Sequence, residues 1–330
     1  NFTIFYEIIM EKISIIGGSG FLGESLAHSC SSKNLEFAIL DINKPKIYQD
    51  KYLKFNVCDK DNHDLIDGDI IINLAAEHRD DVKPLSKYSE VNIGGAQNIC
   101  AIAEKKGINT IVFTSSVAVY GFAEKNTGEN GVVRPFNEYG LTKAEAEKVY
   151  LDWYNKNPQK RKLIIIRPTA IFGKNNRGNI YNLFKQINSG FFLMIGGGKN
   201  IKSIAYVDNV AEFILHSLRL SPGNYLFNYV DKPDLSMNEL VGFIRDTLGK
   251  SGKFHLKIPL KIAMILGYFF DFINLFLKKP LPISSIRIKK FCADTQFDTS
   301  VEETGYKPKV SLLDAISETL LLEFRRDDDI

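Results

Sequence analysis

ISIIGGSGFLG, residues 13–23, indicates the fold of the chain more directly than any other segment. A short, mainly apolar run leads directly into a glycine-rich turn with the spacing G-x-x-G-x-x-G, formed by Gly17, Gly20 and Gly23. A buried strand that turns this tightly into a helix brings backbone N–H groups and the helix N-terminus to one point, where they stabilise a pyrophosphate. The first glycine permits the turn, the second leaves room for phosphate and the third lets the helix pack on the strand. The stretch therefore predicts a dinucleotide-binding unit.

Four later segments resemble the first strand, because they are short, rich in β-branched residues and apolar on both faces. They are EFAILD (36–41), DIIINLAA (69–76), TIVFTSS (110–116) and KLIIIRP (162–168). Stretches of helical length separate them, at about residues 20–32, 91–106 and 140–156. Since buried parallel strands joined by helices give this pattern, we expect an α/β fold with a Rossmann-type doubly wound parallel sheet.

The chain changes character at about residue 173, after which glycine, proline and aromatic residues interrupt the alternation of strands and helices. We predict a dinucleotide-binding Rossmann domain over residues 10–173, with sheet elements that return from the later chain. Residues 174–330 are predicted to form mainly a smaller C-terminal lobe that binds the substrate.

The composition indicates a globular protein with a sizeable core, since 45% of the 330 residues are hydrophobic and 25% are charged. The formal net charge of +3 is nearly balanced, which argues against a nucleic-acid-binding protein. Four scattered cysteines form no C-x-x-C pair, and five histidines show no metal-binding spacing. The sequence therefore predicts neither a metal site nor a disulfide framework. The scattered cysteines indicate a reducing compartment.

The N-terminal residues 1–9 lack the basic start, long apolar run and cleavage site of a signal peptide. Met10 stands just before the first strand, so we expect it to be the native start. We expect the protein to be cytoplasmic.

The second predicted strand ends in a carboxylate, Asp41, 18 residues after Gly23. A carboxylate at this point accepts hydrogen bonds from the adenosine ribose hydroxyls of a dinucleotide and repels a 2′-phosphate. The next residues, Ile42 and Asn43, include no arginine that could hold such a phosphate. NAD is therefore the predicted cofactor, in preference to NADP.

A tyrosine and a lysine stand four residues apart at the start of a predicted helix, in YGLTK (139–143). At that spacing Tyr139 and Lys143 share a helix face, and an ammonium ion beside a phenol lowers the pKa of the phenol. Such a tyrosine can take a proton from a sugar or alcohol hydroxyl while hydride leaves the same carbon for nicotinamide. The hydroxyl of Ser116 would hold that oxygen. The predicted catalytic residues are therefore Ser116, Tyr139 and Lys143.

Taken together, these motifs resemble the extended short-chain dehydrogenases/reductases, in particular the NAD-dependent nucleotide-sugar epimerase/dehydratase family and its UDP-hexose 4-epimerases. The resemblance covers nearly all of residues 12–320. Its marks are GGSGFLG (17–23), Asp41, INLAAEH (72–78), VNIGGAQN (91–98), FTSSVAVYG (113–121), YGLTK (139–143), RPTAIFG (167–173), SIAYVDNVAE (203–212) and FDTSVEETGYKPKVSL (297–312). It implies that Ser116, Tyr139 and Lys143 match the family's catalytic triad.

The resemblance also implies a set of binding residues. The positions that line or support the NAD site in relatives correspond to Gly17, Gly20, Phe21, Leu22, Gly23, Asp41, Leu74, Ala75, Ala76, Asn92 and Pro168. Asn92 matches the asparagine that supports the catalytic helix and its lysine. Asn56-Val57 stand where relatives usually place Asp and a β-branched residue against adenine, and Asn can still pair with an adenine edge. For the substrate, the resemblance implies His78, Asn179 and Lys202, the last replacing an arginine of many relatives.

The residues after Ser116 bear on the type of reaction. Dehydratases of the family have an Asp-Glu pair there, whereas this chain has Val117-Ala118, whose side chains cannot transfer protons. We therefore favour a C4 epimerase that acts on a UDP-hexose or UDP-N-acetylhexosamine through a transient 4-keto sugar. Three alternatives stay open: a UDP-4-keto-6-deoxy-hexosamine reductase of surface-glycan biosynthesis, a 3-hydroxysteroid-type dehydrogenase and a non-catalytic NAD-binding protein.

The segment IPLKIAMILGYFFDFINLFL (258–277) is nearly all apolar and is interrupted by Lys261, Asp271 and Asn274. It is compatible with a core element or dimer contact, with an interfacial helix on an anionic membrane, and with a membrane span. The second of these would place the enzyme at the inner membrane surface. The resemblance further implies a homodimer, formed through paired helices at about residues 91–106 and 140–156.

Overall fold

The computed structural model describes residues 11–60, 63–79, 82–250, 257–277 and 284–324. Its strands are β1 (Ile13–Ile16), β2 (Phe37–Asp41), β3 (Tyr52–Lys54), β4 (Ile70–Asn73), β5 (Thr110–Thr114), β6 (Lys162–Pro168), β7 (Ala170–Phe172), β8 (Met194–Ile195), β9 (Ile201–Tyr206), β10 (Gly223–Tyr229), β11 (Asp231–Ser236) and β12 (Lys257–Ile258). Its helices are α1 (Phe21–Ser32), α2 (Ser86–Tyr88), α3 (Gly95–Lys106), α4 (Glu138–Asn155), α5 (Asn179–Ser189), α6 (Val207–Ser217), α7 (Met237–Thr247), α8 (Leu260–Asn274), α9 (Ser285–Cys292) and α10 (Leu312–Phe324). The expected start at Met10 lies outside the described residues.

The central sheet has seven strands in the order β10-β6-β5-β4-β1-β2-β3, and every neighbouring pair is parallel. The chain runs outward from β1 to β3 in one direction and from β4 to β6 in the other. In such a sheet the connections diverge between β1 and β4, which leaves a crevice at the carboxyl ends of these two strands. The structure confirms the predicted Rossmann-type doubly wound parallel sheet, and it puts the glycine-rich turn at this crevice.

Both faces of the sheet are covered, which explains why its inner strands are apolar on both sides. All four residues of β1 and all four of β4 are buried. On one face, Leu26 of α1 and Phe213 of α6 belong to one apolar core. On the other face, Ile99 of α3 and Tyr150 of α4 belong to a second core. The two layers hold the strand ends at which the candidate site lies.

The chain after β6 builds a lobe and also returns to the large sheet. Strands β7, β9 and β11 form a three-stranded sheet, and β8 pairs with β12. A third apolar core lies between this small sheet and helices α5, α7 and α10. Strand β10 pairs in parallel with the whole length of β6 and completes the seven-stranded sheet, while α6 packs against α1.

A turn of π-helix, residues 89–94, connects α2 to α3 without a break. The sequence predicts a helix from about residue 91, but regular α-helix begins only at Gly95. Gly95 is buried, and a methyl group there would collide with the side chain of Val57. Single π-turns inside helices often occur at functional sites. Here the buried residue of the π-turn is Asn92.

Helices α8 and α9 pack against each other at the edge of the lobe. Their contact uses small residues, since Ala263 and Gly267 are the buried positions of α8. Most of the apolar side chains of α8 are exposed, so the expectation that residues 258–277 form a core element is wrong for most of the segment. Within the described ranges, no helix combines the length and the apolarity needed to cross a membrane.

Candidate active site

The glycine-rich turn is built so tightly that its glycines cannot be replaced without movement of the backbone. Gly17 has a φ of +76°, and a Cβ there would lie 2.6 Å from the backbone nitrogen of Ala75. A Cβ at Gly23 would lie 2.5 Å from the Cα of Gly18, where α1 crosses the turn. The N-cap of α1 is Gly20, which has no side chain and therefore makes no side-chain capping bond to the first N–H groups of the helix. A phosphate group fits such a cradle.

Asp41 lies beside this turn and is already oriented by backbone donors. Its two carboxylate oxygens accept hydrogen bonds from the N–H groups of Ser19, at 3.1 Å, and Asn43, at 2.9 Å. The Ser19 hydroxyl in turn donates to the carbonyl of Asn43, which closes the loop after β2 against the turn. Because each carboxylate oxygen has a further lone pair, Asp41 can also accept from ribose hydroxyls. The geometry fits the predicted NAD site.

The remaining residues predicted to line NAD fall around the same crevice, with one difference. Phe21 and Leu22 begin α1 and are half-buried, and the half-buried Leu74, Ala75 and Ala76 follow β4. Pro168 is the last residue of β6. Asn56 is exposed and its Oδ1 accepts the N–H of Cys58, so its amide remains accessible. Val57 is buried against Gly95, which makes it a packing residue in this structure.

Ser116 and Tyr139 are brought together at the carboxyl end of β5. Ser116 caps a short 3₁₀ turn, residues 117–120, by accepting the N–H of Ala118 at 3.1 Å. Tyr139 is in the first turn of α4, whose N-cap Asn137 accepts the N–H of Gly140. Burial raises the pKa of the Tyr139 phenol, and a hydrogen bond with the Ser116 hydroxyl lowers it in part. The two hydroxyls are therefore close enough to hold one substrate oxygen between them.

Lys143 lies one turn further along α4, but its ammonium group does not act on Tyr139 as the sequence led us to expect. Its Nζ donates to the carbonyl of Thr114 at 2.8 Å and lies 4.6 Å from the centre of the Phe113 ring. Burial lowers the pKa of Lys143 to about 7, although the charge of Glu147 raises it. The expected lowering of the Tyr139 pKa is absent in this structure, because burial dominates at both groups. The position of Tyr139 and Lys143 on the same helix face is therefore not sufficient for the ammonium group to lower the pKa of the phenol.

Asn92 connects the end of β4 to the catalytic helix. Its Oδ1 accepts the N–H of Glu77 at 3.0 Å, and its Nδ2 donates to the carbonyl of Glu77 and to the hydroxyl of Thr142. The contact is therefore with the neighbour of Lys143 rather than with Lys143 itself. In the described structure Asn92 holds α4 in place against the sheet and is a support of the site.

A buried ion pair beneath the catalytic helix was not found from the sequence. Arg167 donates from Nε to Glu147 Oε1 at 2.8 Å and from an Nη to Oε2 at 2.5 Å, a two-bonded pairing. Its other Nη donates to the Tyr120 hydroxyl at 2.7 Å, and that hydroxyl donates to Asn228 of β10 at 2.8 Å. Glu147 is one helical turn from Lys143, so this network sets part of the charge around it. The sequence feature that could have indicated this pair is the arginine of RPTAIFG, because it is a basic residue in an otherwise apolar strand.

The three residues predicted to bind substrate lie on different elements. His78 is exposed after β4, and the exposed Asn179 is the first residue of α5. Lys202 lies on β9, and its Nζ donates to the carbonyls of Lys290, at 3.1 Å, and Ala293, at 2.7 Å, near the C-terminus of α9. Burial lowers the pKa of Lys202 to about 8. With two of its donors used in this way, the ammonium has one left for a phosphate oxygen.

The site can therefore do three things. The turn at Gly17–Gly23 and Asp41 fit a dinucleotide. The Ser116 and Tyr139 hydroxyls can hold and deprotonate a hydroxyl group. Basic residues of the lobe can bind an anion. Val117 and Ala118, in the 3₁₀ turn after Ser116, supply no further acid or base.

Comparisons with known proteins agree with this geometry. The sequence profile of the NAD dependent epimerase/dehydratase family matches residues 13–228. The chain is 45% identical over 327 residues to an N-acetyl-alpha-D-glucosaminyl-diphospho-ditrans,octacis-undecaprenol 4-epimerase of Escherichia coli O157:H7, which covers 97% of this chain and 98% of that protein. It is 28% identical over 347 residues to a sterol-4-alpha-carboxylate 3-dehydrogenase of Candida albicans, with 94% and 97% covered. Among solved structures, a UDP-glucose 4-epimerase of Thermotoga maritima superposes with a TM-score of 0.73 at 18% identity, covering 94% of this chain and 98% of that one.

Proposed function

The chain belongs to the NAD-dependent epimerase/dehydratase family, and from this premise we propose that it inverts the C4 hydroxyl of an N-acetylhexosamine carried on a diphosphate. The observation that carries the proposal is the 45% identity, over nearly the whole of both chains, to the 4-epimerase of Escherichia coli O157:H7. The site supports it, because Ser116 and Tyr139 are paired and the apolar Val117 and Ala118 cannot perform the proton transfers of a dehydration.

The protein's part in the reaction is to bind, orient and move one proton. When bound, NAD supplies a reversible hydride acceptor at C4 of the sugar. The turn at Gly17–Gly23 would hold its pyrophosphate, and Asp41 its adenosine ribose. Ser116 holds O4 of the sugar through a hydrogen bond, and Tyr139 takes the O4 proton as C4 is oxidised. After the 4-keto sugar has turned over in the site, Tyr139 returns that proton to O4 on the other face.

Lys143 has a positioning part in this scheme. Its amine is buried and donates a hydrogen bond to the carbonyl of Thr114, which fixes it at the end of β5. At a pKa of about 7 it exists in both charge states near neutral pH. The charged form makes the stronger hydrogen bond to the carbonyl of Thr114, two residues before Ser116, so the charge state of Lys143 affects how firmly the end of β5 is held.

We infer that the sugar diphosphate is joined to a polyprenol, as it is in the name of the Escherichia coli relative. A UDP-linked sugar offers the same diphosphate to the same basic residues. An experiment must therefore determine which carrier, polyprenol or UDP, the enzyme accepts, independently of whether it epimerises C4. Purified enzyme is incubated with N-acetylglucosaminyl-diphospho-polyprenol in detergent, and separately with UDP-N-acetylglucosamine, without added reductant. The released sugars are resolved by chromatography.

The expected result is a mixture of the two C4 epimers from the polyprenyl substrate, since axial and equatorial hydroxyls differ little in energy. An epimer mixture from the UDP-sugar alone would leave the epimerase proposal standing and overturn the carrier. Absence of any epimer, together with stoichiometric NADH consumption on a UDP-4-keto-6-deoxy-hexosamine, would overturn the proposal in favour of the reductase. That alternative is not favoured by the comparisons.

We also propose that the enzyme works at the inner membrane surface as a peripheral protein of the cytoplasm, since a polyprenyl tail keeps its substrate in the bilayer. The proposal predicts recovery of a substantial fraction with washed membranes and its release at high salt or by detergent. Complete recovery in the soluble fraction at low salt would contradict it.

The expected homodimer is retained as a proposal. Helices α3 and α4 pack side by side, and their outer face carries the exposed Gln97, Ala101, Leu141 and Leu151, which offer a surface for a second copy. Light scattering at micromolar concentration should give twice the chain mass of 37.3 kDa. The variant Leu151→Glu should give a monomer, whereas a wild-type monomer would overturn the proposal.

A further inference from the structure

Helix α8 carries its apolar side chains on the outside of the protein. The buried Ala263 and Gly267 face α9, and the opposite side of the helix is exposed. On that side, the apolar residues recur every three or four positions, as one face of a helix does. They are Ile262, Ile265, Phe269 and Phe272 of α8 and Phe276, two residues beyond its end, and each is more than half exposed. We call these five residues the outer stripe. A contiguous surface of large apolar side chains marks a binding face.

The charges of the hairpin that carries the outer stripe are nearly all positive. The described parts of the α8–α9 hairpin, residues 257–277 and 284–292, contain five basic residues and one acidic residue. The basic residues are Lys257, Lys261, Arg287, Lys289 and Lys290. The acidic residue, Asp271, accepts the backbone N–H of Ser285 at 3.2 Å and is therefore on the side of α9. An apolar helix face on a hairpin with this excess of cations is complementary to an anionic lipid surface.

We propose that α8 docks the enzyme on an anionic phospholipid bilayer, lying in the plane of the interface with the outer stripe in the acyl region. A helix of 15 residues is about 22 Å long, which is too short for a hydrocarbon core of about 30 Å but suits an in-plane helix. The inference rests on the proposed function, because a polyprenyl carrier is what makes docking useful to the reaction.

The hairpin is connected directly to the active site. Lys202, a candidate for the sugar diphosphate, is bound to carbonyls near the C-terminus of α9. Phe297, four residues after Ala293, is buried in one cluster with Val119 and Ala144. Ala144 is the neighbour of Lys143 in α4. The same Phe297 ring stacks on Tyr120 at 5.7 Å. Docking through α8 would thus present the catalytic crevice to a diphosphate at the membrane surface by way of α9.

Fluorescence tests this directly, because the chain has a single tryptophan, Trp153, which is buried in the core. The variant Phe272→Trp puts a reporter on the outer stripe, and Leu322→Trp puts one on an exposed position of α10 as the matched control. Both are mixed with vesicles of phosphatidylethanolamine and phosphatidylglycerol that have brominated acyl chains. We expect emission of Phe272→Trp to fall by about half or more and to shift to shorter wavelength, while Leu322→Trp and the wild type stay unchanged. Equal emission with and without vesicles would overturn the proposal.

Sedimentation with vesicles measures the affinity. The double variant Ile265→Asp/Phe269→Asp should bind at least about 100-fold more weakly than wild type, because two apolar side chains lose their burial in lipid. Leu322→Asp should bind as wild type does. Neutral phosphatidylcholine vesicles, or 1 M salt with a Debye length of about 3 Å, should weaken wild-type binding. If the double variant fails to fold, the fluorescence of the conservative variant Phe272→Trp tests the docking proposal by itself.

The outcomes separate this inference from the proposed function. Vesicle binding needs no turnover, so a wild-type enzyme that binds vesicles but epimerises no polyprenyl-linked sugar would overturn the function and leave the docking. An enzyme that epimerises the substrate in detergent but never binds vesicles would overturn the docking alone. A double variant that changes from dimer to monomer, with no vesicle binding by wild type, would assign the outer stripe to contact between copies and overturn the docking.

Discussion

Removal of the buried partner of Arg167 is the sharpest test of how the scaffold supports the site. In Glu147→Gln the side chain keeps its size but loses its charge. The guanidinium of Arg167 would keep its bond to the Tyr120 hydroxyl and lose both charged acceptors, at 2.8 and 2.5 Å. The side chains of Arg167 and Glu147 are only 6% and 11% exposed, so water cannot replace the carboxylate.

The size of the effect follows from this burial. Breaking a buried pair by removing one partner costs about 3–5 kcal/mol, and the retained bond to Tyr120 argues for the lower end. At about 2 °C per kcal/mol for a chain of this size, the melting temperature should fall by about 6 °C. The matched control is Glu145→Gln on the same helix. Its partner Lys148 is exposed, and such surface pairs contribute about 0.3–0.5 kcal/mol.

The same substitution should move a pH profile. Burial lowers the pKa of Lys143 to about 7 and the Glu147 charge opposes it, so loss of that charge lowers this pKa further. At one helical turn, about 6 Å, and an effective dielectric constant of about 20, the change is at most about two pH units. The limb of kcat/KM that reports Lys143 should therefore move to lower pH in Glu147→Gln and stay in place in Glu145→Gln.

Thermal unfolding and the rate of epimer formation from pH 5 to pH 9 give both readouts. The apolar double variant Glu147→Met/Arg167→Met should recover most of the lost stability, because it leaves no buried charge, but not the wild-type pH profile. The reasoning is refuted if Glu147→Gln melts within 1 °C of Glu145→Gln, or if the two pH profiles coincide.

Three further outcomes are expected. Tyr139→Phe should lower turnover by about 10²-fold or more with little change in NAD affinity, since only the proton donor and acceptor is lost, and half of wild-type turnover would remove Tyr139 from the mechanism. Asp41→Ala should raise the affinity for NADP relative to NAD, because the repulsion of a 2′-phosphate is removed, and calorimetric titration of both cofactors would show an unchanged ratio if the prediction is wrong. Gly23→Ala should abolish NAD binding, with its Cβ 2.5 Å from a backbone atom, whereas Gly242→Ala, with open space around it on α7, should bind normally and be as stable or more so by up to about 1 kcal/mol.

The strands that could be predicted from the sequence are those buried on both faces. β1, β5 and β6 lie within the predicted segments, because a strand covered on both sides must be apolar at every position. β3 was missed, since its three residues, Tyr52–Lys54, are half-buried or exposed and show no such pattern. The place of β10 beside β6 was foreseen only as a returning sheet element, because its sequence GNYLFNY alternates less clearly.

The candidate site shows the same division between local and long-range information. The glycine turn and the end of β2 are set by local geometry, and the structure brings Gly17–Gly23 and Asp41 together as expected. The pairing of Arg167 with Glu147 joins β6 to α4 across 20 residues and depends on how the helix lies on the sheet. The charge state of Lys143 depends on burial, which a helix-face argument does not contain.

In the sequence, β10 lies between segments that form the lobe. This limits how segments can be exchanged between related proteins by recombination. β10 comes from the later chain, yet it forms an edge strand of the large sheet, and its Asn228 bonds to Tyr120, to the carbonyl of Thr127 and to the carbonyl of Asp298. A recombination with one crossover after residue 173 would therefore transplant a strand of the host sheet together with the lobe. Specificity can be grafted between homologues only by two insertions, one on each side of β10, that leave this strand with its own sheet.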